Sequence, residues 1–222
     1  MNAALYLIPP LAVTVFLLIR ANMLDRQRQV YFFKPLSTLL VIAMALLSLL
    51  EPEQNLTYLV GAGVGLVLSL GGDVALMFRG NRAFVIGLLL FLLAHVAYAL
   101  TFSLLSRFSA WDALTAAILL ALALGFYRLI RPGLGSLRFP VIAYMAVISL
   151  MVNRAAATLF SPAFSSAQAL MVTLGAVLFY ASDMILAANR FWKPWPYHHL
   201  SLALYYGGQM LIALAASYFG QR

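Results

Sequence analysis

An all-α polytopic membrane protein of about eight transmembrane helices is the fold this sequence predicts, and three observations carry that reading. Of 222 residues, 64% are hydrophobic and only 9% charged, against about 25% charged residues in a typical soluble domain. Apolar runs of spanning length recur along the whole chain, separated by short stretches of charge, proline or polar residues. Runs such as Val85 to Ala94 are apolar on every side, whereas a membrane barrel needs alternating segments of about 10 residues, so helices are the remaining spanning solution. At about 20 residues per helix, eight spans use roughly 160 residues and leave no room for a sizeable extramembrane domain. Residues 1–222 therefore read as a single integral membrane domain in a lipid bilayer. An ordinary water-soluble enzyme is excluded.

The first span, about 4–19, ends at Arg20. The second, 36–50, is entered at Lys34-Pro35 and closed by Glu51 to Glu53. The third, 57–78, stops at Arg79, and the fourth, 83–105, runs from Arg82 to Arg107. The fifth, 111–130, ends at Arg131-Pro132; the sixth, 138–158, opens on Arg138. The seventh, 166–188, is closed by Asn189-Arg190, and the eighth covers 198–219. The N-terminal stretch lacks a basic leader and a small-residue cleavage site, so it reads as a retained first span.

Net charge is +8, but the 14 Lys and Arg are scattered between apolar runs and form no basic surface for nucleic acid. Their distribution reports orientation instead. All but Arg107, Arg154 and Arg222 fall in the first, third, fifth and seventh loops. By the positive-inside rule those loops are cytoplasmic and both termini lie outside. Small size and the absence of targeting signals point to a bacterial inner membrane. Without cysteine there is no disulfide, thiol nucleophile or thiolate metal site.

Two segments resemble each other. Gly72-Asp73-Val74-Ala75-Leu76 precedes a basic loop and a helix with His95 and Tyr98, and Ser182-Asp183-Met184-Ile185-Leu186 precedes a basic loop and a helix with Tyr205, Tyr206 and Gln209. The aspartates lie 110 residues apart, close to half the chain, as two four-helix halves, 1–107 and 108–222, would place them. In that arrangement the two carboxyls could meet at the interface between repeats.

An ionisable group inside a span costs several kcal/mol unless paired or wet, and is a functional candidate by default. Asp73, Asp183 and His95 qualify. The alternative for the aspartates is interhelical hydrogen bonding. His95 shares a helix face with Phe91 and Tyr98 and reads either as a hydrogen-bonded core residue or as a substrate contact. His198 and His199 point to different faces and bring no zinc motif, so no metal is expected. Tyr206 and Gln209 can present polar groups to one pocket, as can Tyr180 and Asp183. Trp192, Trp195 and Tyr197 read as an aromatic interface belt. Lys34 is a snorkelling anchor or a phosphate contact. No G-x-S-x-G elbow, Walker loop or dinucleotide fingerprint occurs.

Taken in order, these residues resemble the YhhN family, also called the TMEM86 or lysoplasmalogenase family. The matching stretches are Lys34-Pro35-Leu36, Ser69 to Asp73 with Leu76, Phe91 to His95 with Tyr98, Ser182-Asp183 with Leu186, Asn189-Arg190-Phe191, and Tyr205 to Gln209. Gly71 and Leu204 depart from the pattern. The resemblance implies cleavage of the vinyl ether of lysoplasmalogens, a class of lysophospholipid, to a fatty aldehyde and glycerophosphoethanolamine or glycerophosphocholine, with no metal or organic cofactor. It implies Asp73 and Asp183 as catalytic residues, with Lys34, Ser69, His95, Tyr98, Tyr180, Asn189, Arg190, Tyr206 and Gln209 around the substrate. Protonation of the vinyl ether β-carbon gives an oxocarbenium ion that water attacks, so the site needs one acid and one carboxylate. Two carboxyls at low dielectric supply both, one keeping its proton while the other stays charged.

Two other classes use intramembrane carboxylates. A proton-coupled secondary transporter would fit a repeat, but Gly and Pro do not break the third and seventh spans at their centres. An intramembrane aspartyl protease is faintly echoed by Gly71-Gly72-Asp73, yet no Pro-Ala-Leu occurs and Ser182, not tyrosine, precedes Asp183.

Overall fold

Residues 2–196 and 199–219 are described by a computed structural model, and they form a bundle in which eight helices are long and apolar enough to cross a membrane. These are α1 (Ile8–Met23), α2 (Gln27–Leu47), α3 (Leu56–Met77), α4 (Asn81–Leu105), α5 (Ala110–Ile130), α6 (Arg138–Ala157), α7 (Ser166–Phe191) and α8 (Leu200–Ala215). Short 3-10 turns extend several of them, including Ala3–Leu7 before α1 and Ala216–Tyr218 after α8. Tyr197, His198 and Arg222, which the sequence reading used for the aromatic belt, the histidine pair and the charge bias, lie outside the described residues.

Local chemistry sets the ends. Asn55 caps α3 by accepting from the Tyr58 N–H, and Ser165 with Gln168 forms a reciprocal capping box on α7. One boundary differs from expectation. Pro35 suggested that the second span begins at 36, but α2 begins at Gln27 and carries Pro35 inside it. Proline removes one backbone hydrogen bond, and the preceding turns are held instead by side chains. Gln27 Nε2 donates to the Met77 carbonyl at 3.2 Å and Lys34 Nζ to the Asp73 carbonyl at 3.3 Å, both on α3. Lys34 is therefore two turns inside a helix, not at its entrance.

Sequential helices pack as neighbours except α4 and α5, and the two most extensive contacts are α3 with α4 and α7 with α8. Small residues permit the approach, as is usual where lipid provides no hydrophobic drive between helices. A Cβ on Gly72 would stand 2.6 Å from the Phe91 ring, and one on Gly208 would stand 2.6 Å from the Gly175 carbonyl oxygen. The long-range contacts also come in a matched pair, α4 on α6 and α8 on α2. α5 is peripheral, with Ile130 its one buried residue, and leans mainly on α6.

The list of intramembrane charges grows. Arg154, which the sequence reading assigned to a loop, is a buried residue of α6, 1% exposed. It donates to Asp112 Oδ2 at 2.9 Å and to Ser106 Oγ at 2.6 Å, and its guanidinium lies 4.2 Å over the Phe108 ring. The pair ties α5 and α6 to the end of α4.

The α7–α8 contact gives a direct check on this packing. Gly208→Val should lower stability in detergent by about 1–3 kcal/mol, the range for overpacking a filled interface. Gly207→Ala, whose Cβ meets only Leu178 at an ordinary 3.6 Å, should leave the melting temperature close to that of the unaltered protein. Equal melts for both variants would contradict the helix contact.

Candidate functional site

Asp73 sits four residues before the end of α3 and is 1% exposed. Its Oδ1 lies 3.2 Å from Lys34 Nζ, and its Oδ2 accepts from Thr38 Oγ1 at 2.6 Å and from the Tyr205 hydroxyl at 2.7 Å. Lys34 and Thr38 reach the same carboxylate because they are one turn apart on α2. An ammonium and two hydroxyls match the acceptor-only inventory of an ionised carboxylate. The network continues outward through α8 and α4. Tyr206 donates to the Lys34 carbonyl at 2.9 Å, Tyr98 donates to Gln209 Oε1 at 2.7 Å, and Gln209 Nε2 reaches the Tyr205 hydroxyl at 3.4 Å. Ser69, one turn before Asp73, is buried beside the Tyr98 hydroxyl.

Asp183 occupies a different setting on α7. Its Oδ2 accepts from the Tyr144 hydroxyl of α6, and His95 Nε2 of α4 lies 3.8 Å away, beyond hydrogen-bond length. The His95 ring packs on Phe179 at 4.6 Å and on Tyr144 at 5.3 Å. No lysine or arginine is paired with Asp183 among the described residues. Its carboxyl borders a narrow apolar chamber of about 70 Å³, walled also by Leu76, Phe84, Phe91, Tyr144, Tyr180 and Phe191. Asp73 is not part of that wall.

Among the described residues no hydrogen bond joins the two carboxyls, although they are near enough to interact electrostatically. Between their partners stands an aromatic cluster, in which Phe91, Phe179 and Tyr205 contact one another at 5.1–6.1 Å. Lys34 is turned into the bundle against Asp73 and is not extended to the surface. Tyr180 does not bond Asp183; its hydroxyl faces Ser149 Oγ at 3.5 Å.

The end of the bundle that carries the basic loops holds the remaining candidates. Arg190 donates to Asn81 Oδ1 at 3.1 Å and lies 4.4 Å over the Phe84 ring. With Arg82 and the turn around Gly133 to Leu137 it lines an open basin of about 690 Å³. Phe191 is shared by this basin and the chamber. Asn189 accepts from the Trp195 N–H at 2.9 Å and so pins the loop after α7. Among the described residues, no three histidine or acidic side chains gather in metal-ligating geometry.

Sequence reasoning missed Thr38 and Tyr144 as site residues and did not join Tyr205 to Asp73. Thr38 had a signal, its place one turn from Lys34. So did Tyr144. The 110-residue offset between Asp73 and Asp183 also relates Lys34 to Tyr144 and His95 to Tyr205, so each aspartate receives partners from corresponding positions.

The YhhN family model matches residues 29–216, a stretch containing every residue named in the two clusters. The chain belongs to the YhhN family. Among curated proteins, this YhhN chain is 35% identical over 158 residues to lysoplasmalogenase TMEM86A of Bos taurus and 37% identical over 157 residues to that of Homo sapiens. Each match covers 69% of this chain and 63% of the relative, so the chain spans less than two thirds of the curated relatives it matches. No solved structure matches it.

Removing one member of the buried ion pair tests the Asp73 cluster. Lys34→Met leaves a lone buried carboxylate and should cost about 3–5 kcal/mol, the usual penalty for breaking such a pair. Lys34→Met combined with Asp73→Asn should recover most of that loss, which thermal melts of the three proteins in one detergent will read as a coupling.

Proposed function

We propose that this YhhN protein hydrolyses the vinyl ether bond of lysoplasmalogens, with Asp183 as the acid, and that it is built from two four-helix repeats. The observation that carries the assignment is the division between the two aspartates. Asp73 is enclosed by Lys34, Thr38 and Tyr205, while Asp183 is the carboxyl that opens on an apolar chamber. The relatives named lysoplasmalogenase supply the reaction class.

In this reading Asp183 donates its proton to the β-carbon of the vinyl ether, leaving an oxocarbenium ion at the α-carbon and a carboxylate on Asp183. Water adds to the α-carbon and returns a proton to Asp183, and the resulting hemiacetal collapses to a fatty aldehyde and the glycerophospho-alcohol. One water is consumed and the acid is regenerated. The carboxylate formed by the first step stands beside the cation it must stabilise, in an apolar chamber where that interaction is strong. Tyr144 orients the carboxyl. Asp73 is a positioning residue, since it fixes Tyr205 and through it the aromatic wall between the clusters. With Lys34 engaged by Asp73, Arg190 and Arg82 are the cations left to take the phosphate in the adjoining basin. The scheme calls on no metal or organic cofactor. By the positive-inside rule this reading puts the basin on the cytoplasmic side with both termini outside, and takes the membrane to be a bacterial inner membrane.

Aldehyde release from a lysoplasmalogen by the purified protein tests the reading. Asp183→Asn should lose at least about 100-fold in kcat, the lower end for positioned acid catalysis, while keeping its melting temperature. Asp73→Asn should lower stability as well as activity. Arg190→Ala should chiefly raise KM, because a phosphate contact is made in ground and transition states alike. Near-normal turnover by Asp183→Asn would remove the proposed acid. The reaction should also show a solvent deuterium isotope effect, since carbon protonation is its difficult step.

A further inference from the structure

A second apolar space adjoins the Asp183 chamber. It is a groove of about 450 Å³ between α5 and α6, lined by Ala116, Leu120, Ala123, Ala146, Leu150 and Asn153, with Met145 forming a wall of both spaces. Ser149 also lines the groove, and its hydroxyl faces that of Tyr180, a residue of the chamber wall. We propose that this groove is the subsite for the substrate's single hydrocarbon chain, and that Ala146 and Ala123 set the chain length it accepts. The proposal rests on the lysoplasmalogen reading and names where the chain of that substrate lies.

Three observations support this occupant. The chamber, at about 70 Å³, is far the narrower of the two spaces, so the groove of about 450 Å³ is the better match for a fatty chain. The basin with Arg82 and Arg190 meets the chamber at Phe191, toward the end of α7, whereas the groove runs along α6 from Ile142, level with the chamber, and continues the other way from Met145 to Asn153. At 1.5 Å per residue that is about 12 Å of path beyond the reacting bond. Headgroup, bond and chain of one extended lipid then lie in line. Finally, the groove exists because its walls carry alanine at three facing positions, and its outer wall is the least embedded helix of the bundle.

The test uses purified full-length protein and saturated 1-O-alkyl lysophosphoethanolamines with octyl, dodecyl and hexadecyl chains, which bind but lack the vinyl ether. Affinity should rise with chain length in the unaltered protein. Ala146→Phe should weaken hexadecyl binding by about tenfold or more, a step of 1.4 kcal/mol, and leave octyl binding within about twofold. Ala123→Phe, in the α5 wall of the groove, should do the same. An equal loss for every chain, or none, overturns the proposal. A hexadecyl analogue with a diazirine at the chain terminus decides the question on the unaltered protein alone. Label should concentrate on α5 and α6 between Ala116 and Leu120 and between Leu150 and Asn153. Label spread evenly over the outward faces of α1 and α3 overturns it. Since the probes cannot be hydrolysed, a chain-graded response without aldehyde release from true lysoplasmalogen refutes the reaction and keeps the groove. Aldehyde release with ungraded binding refutes the groove alone.

Discussion

The contact on which the rest of the bundle depends is the ion pair between Lys34 and Asp73. A charge inside an apolar bundle must find its partner there, and here the partner comes from a different helix. Meeting that demand brings α2 against α3, and the two hydroxyls on the same carboxylate add a second residue of α2 and one of α8. Tyr206 then closes on the Lys34 carbonyl, and Gln209 links α8 to Tyr98 on α4. Four helices are thereby fixed in register. One turn before Tyr98 on α4, His95 stands toward Asp183, so the second cluster inherits its geometry from the first.

The two clusters share one frame with different contents. Counterparts 110 residues apart supply lysine or tyrosine from α2 and α6, and tyrosine or histidine from α8 and α4. In one cluster the content is a charge and two hydroxyls within bonding distance, which satisfies the carboxylate completely. In the other, a single phenol bonds the carboxyl while the imidazole stops at 3.8 Å. A carboxylate already compensated by an ammonium has little left to offer a cationic intermediate, whereas a carboxyl with one neutral partner keeps its interaction available. On the proposed reaction, the difference between holding a fold together and acting on a substrate comes down to what stands opposite each aspartate.

Much of this was legible in the sequence, and what was not has identifiable causes. Long apolar runs gave eight spans with ends close to those observed, because hydrophobic length alone decides what crosses a bilayer. Asp73 and Asp183 stood out because charge in such runs is rare. The start of α2 did not, since Pro35 is a valid helix-start signal and the bonds that override it run to α3 carbonyls no local pattern reveals. Arg154 resembled a loop residue near a span end. Its burial depends on Asp112, 42 residues earlier, and a pairing across helices has no local periodicity. Tyr144 looked like any interfacial or core phenol. Only applying the 110-residue offset to Lys34 as well as to the aspartates would have singled it out.

The position of α6 explains how such different surroundings reach one carboxyl. It lies between α4, α5 and α7, and successive turns of it face different spaces. Tyr144 points to Asp183, Met145 divides chamber from groove, and Ser149 stands opposite Tyr180 at the next turn. On the proposed reaction this resolves a conflict of solvents. The phosphate needs a wet, basic surface, the chain needs hydrocarbon, and proton transfer to carbon needs a confined place where water enters one molecule at a time. Placing the acid between Phe191 on the polar side and Met145 on the hydrocarbon side keeps those environments within one lipid's length without mixing them. An acid on the bundle surface would meet bulk water instead, and its conjugate base would be hydrated rather than held against the developing cation.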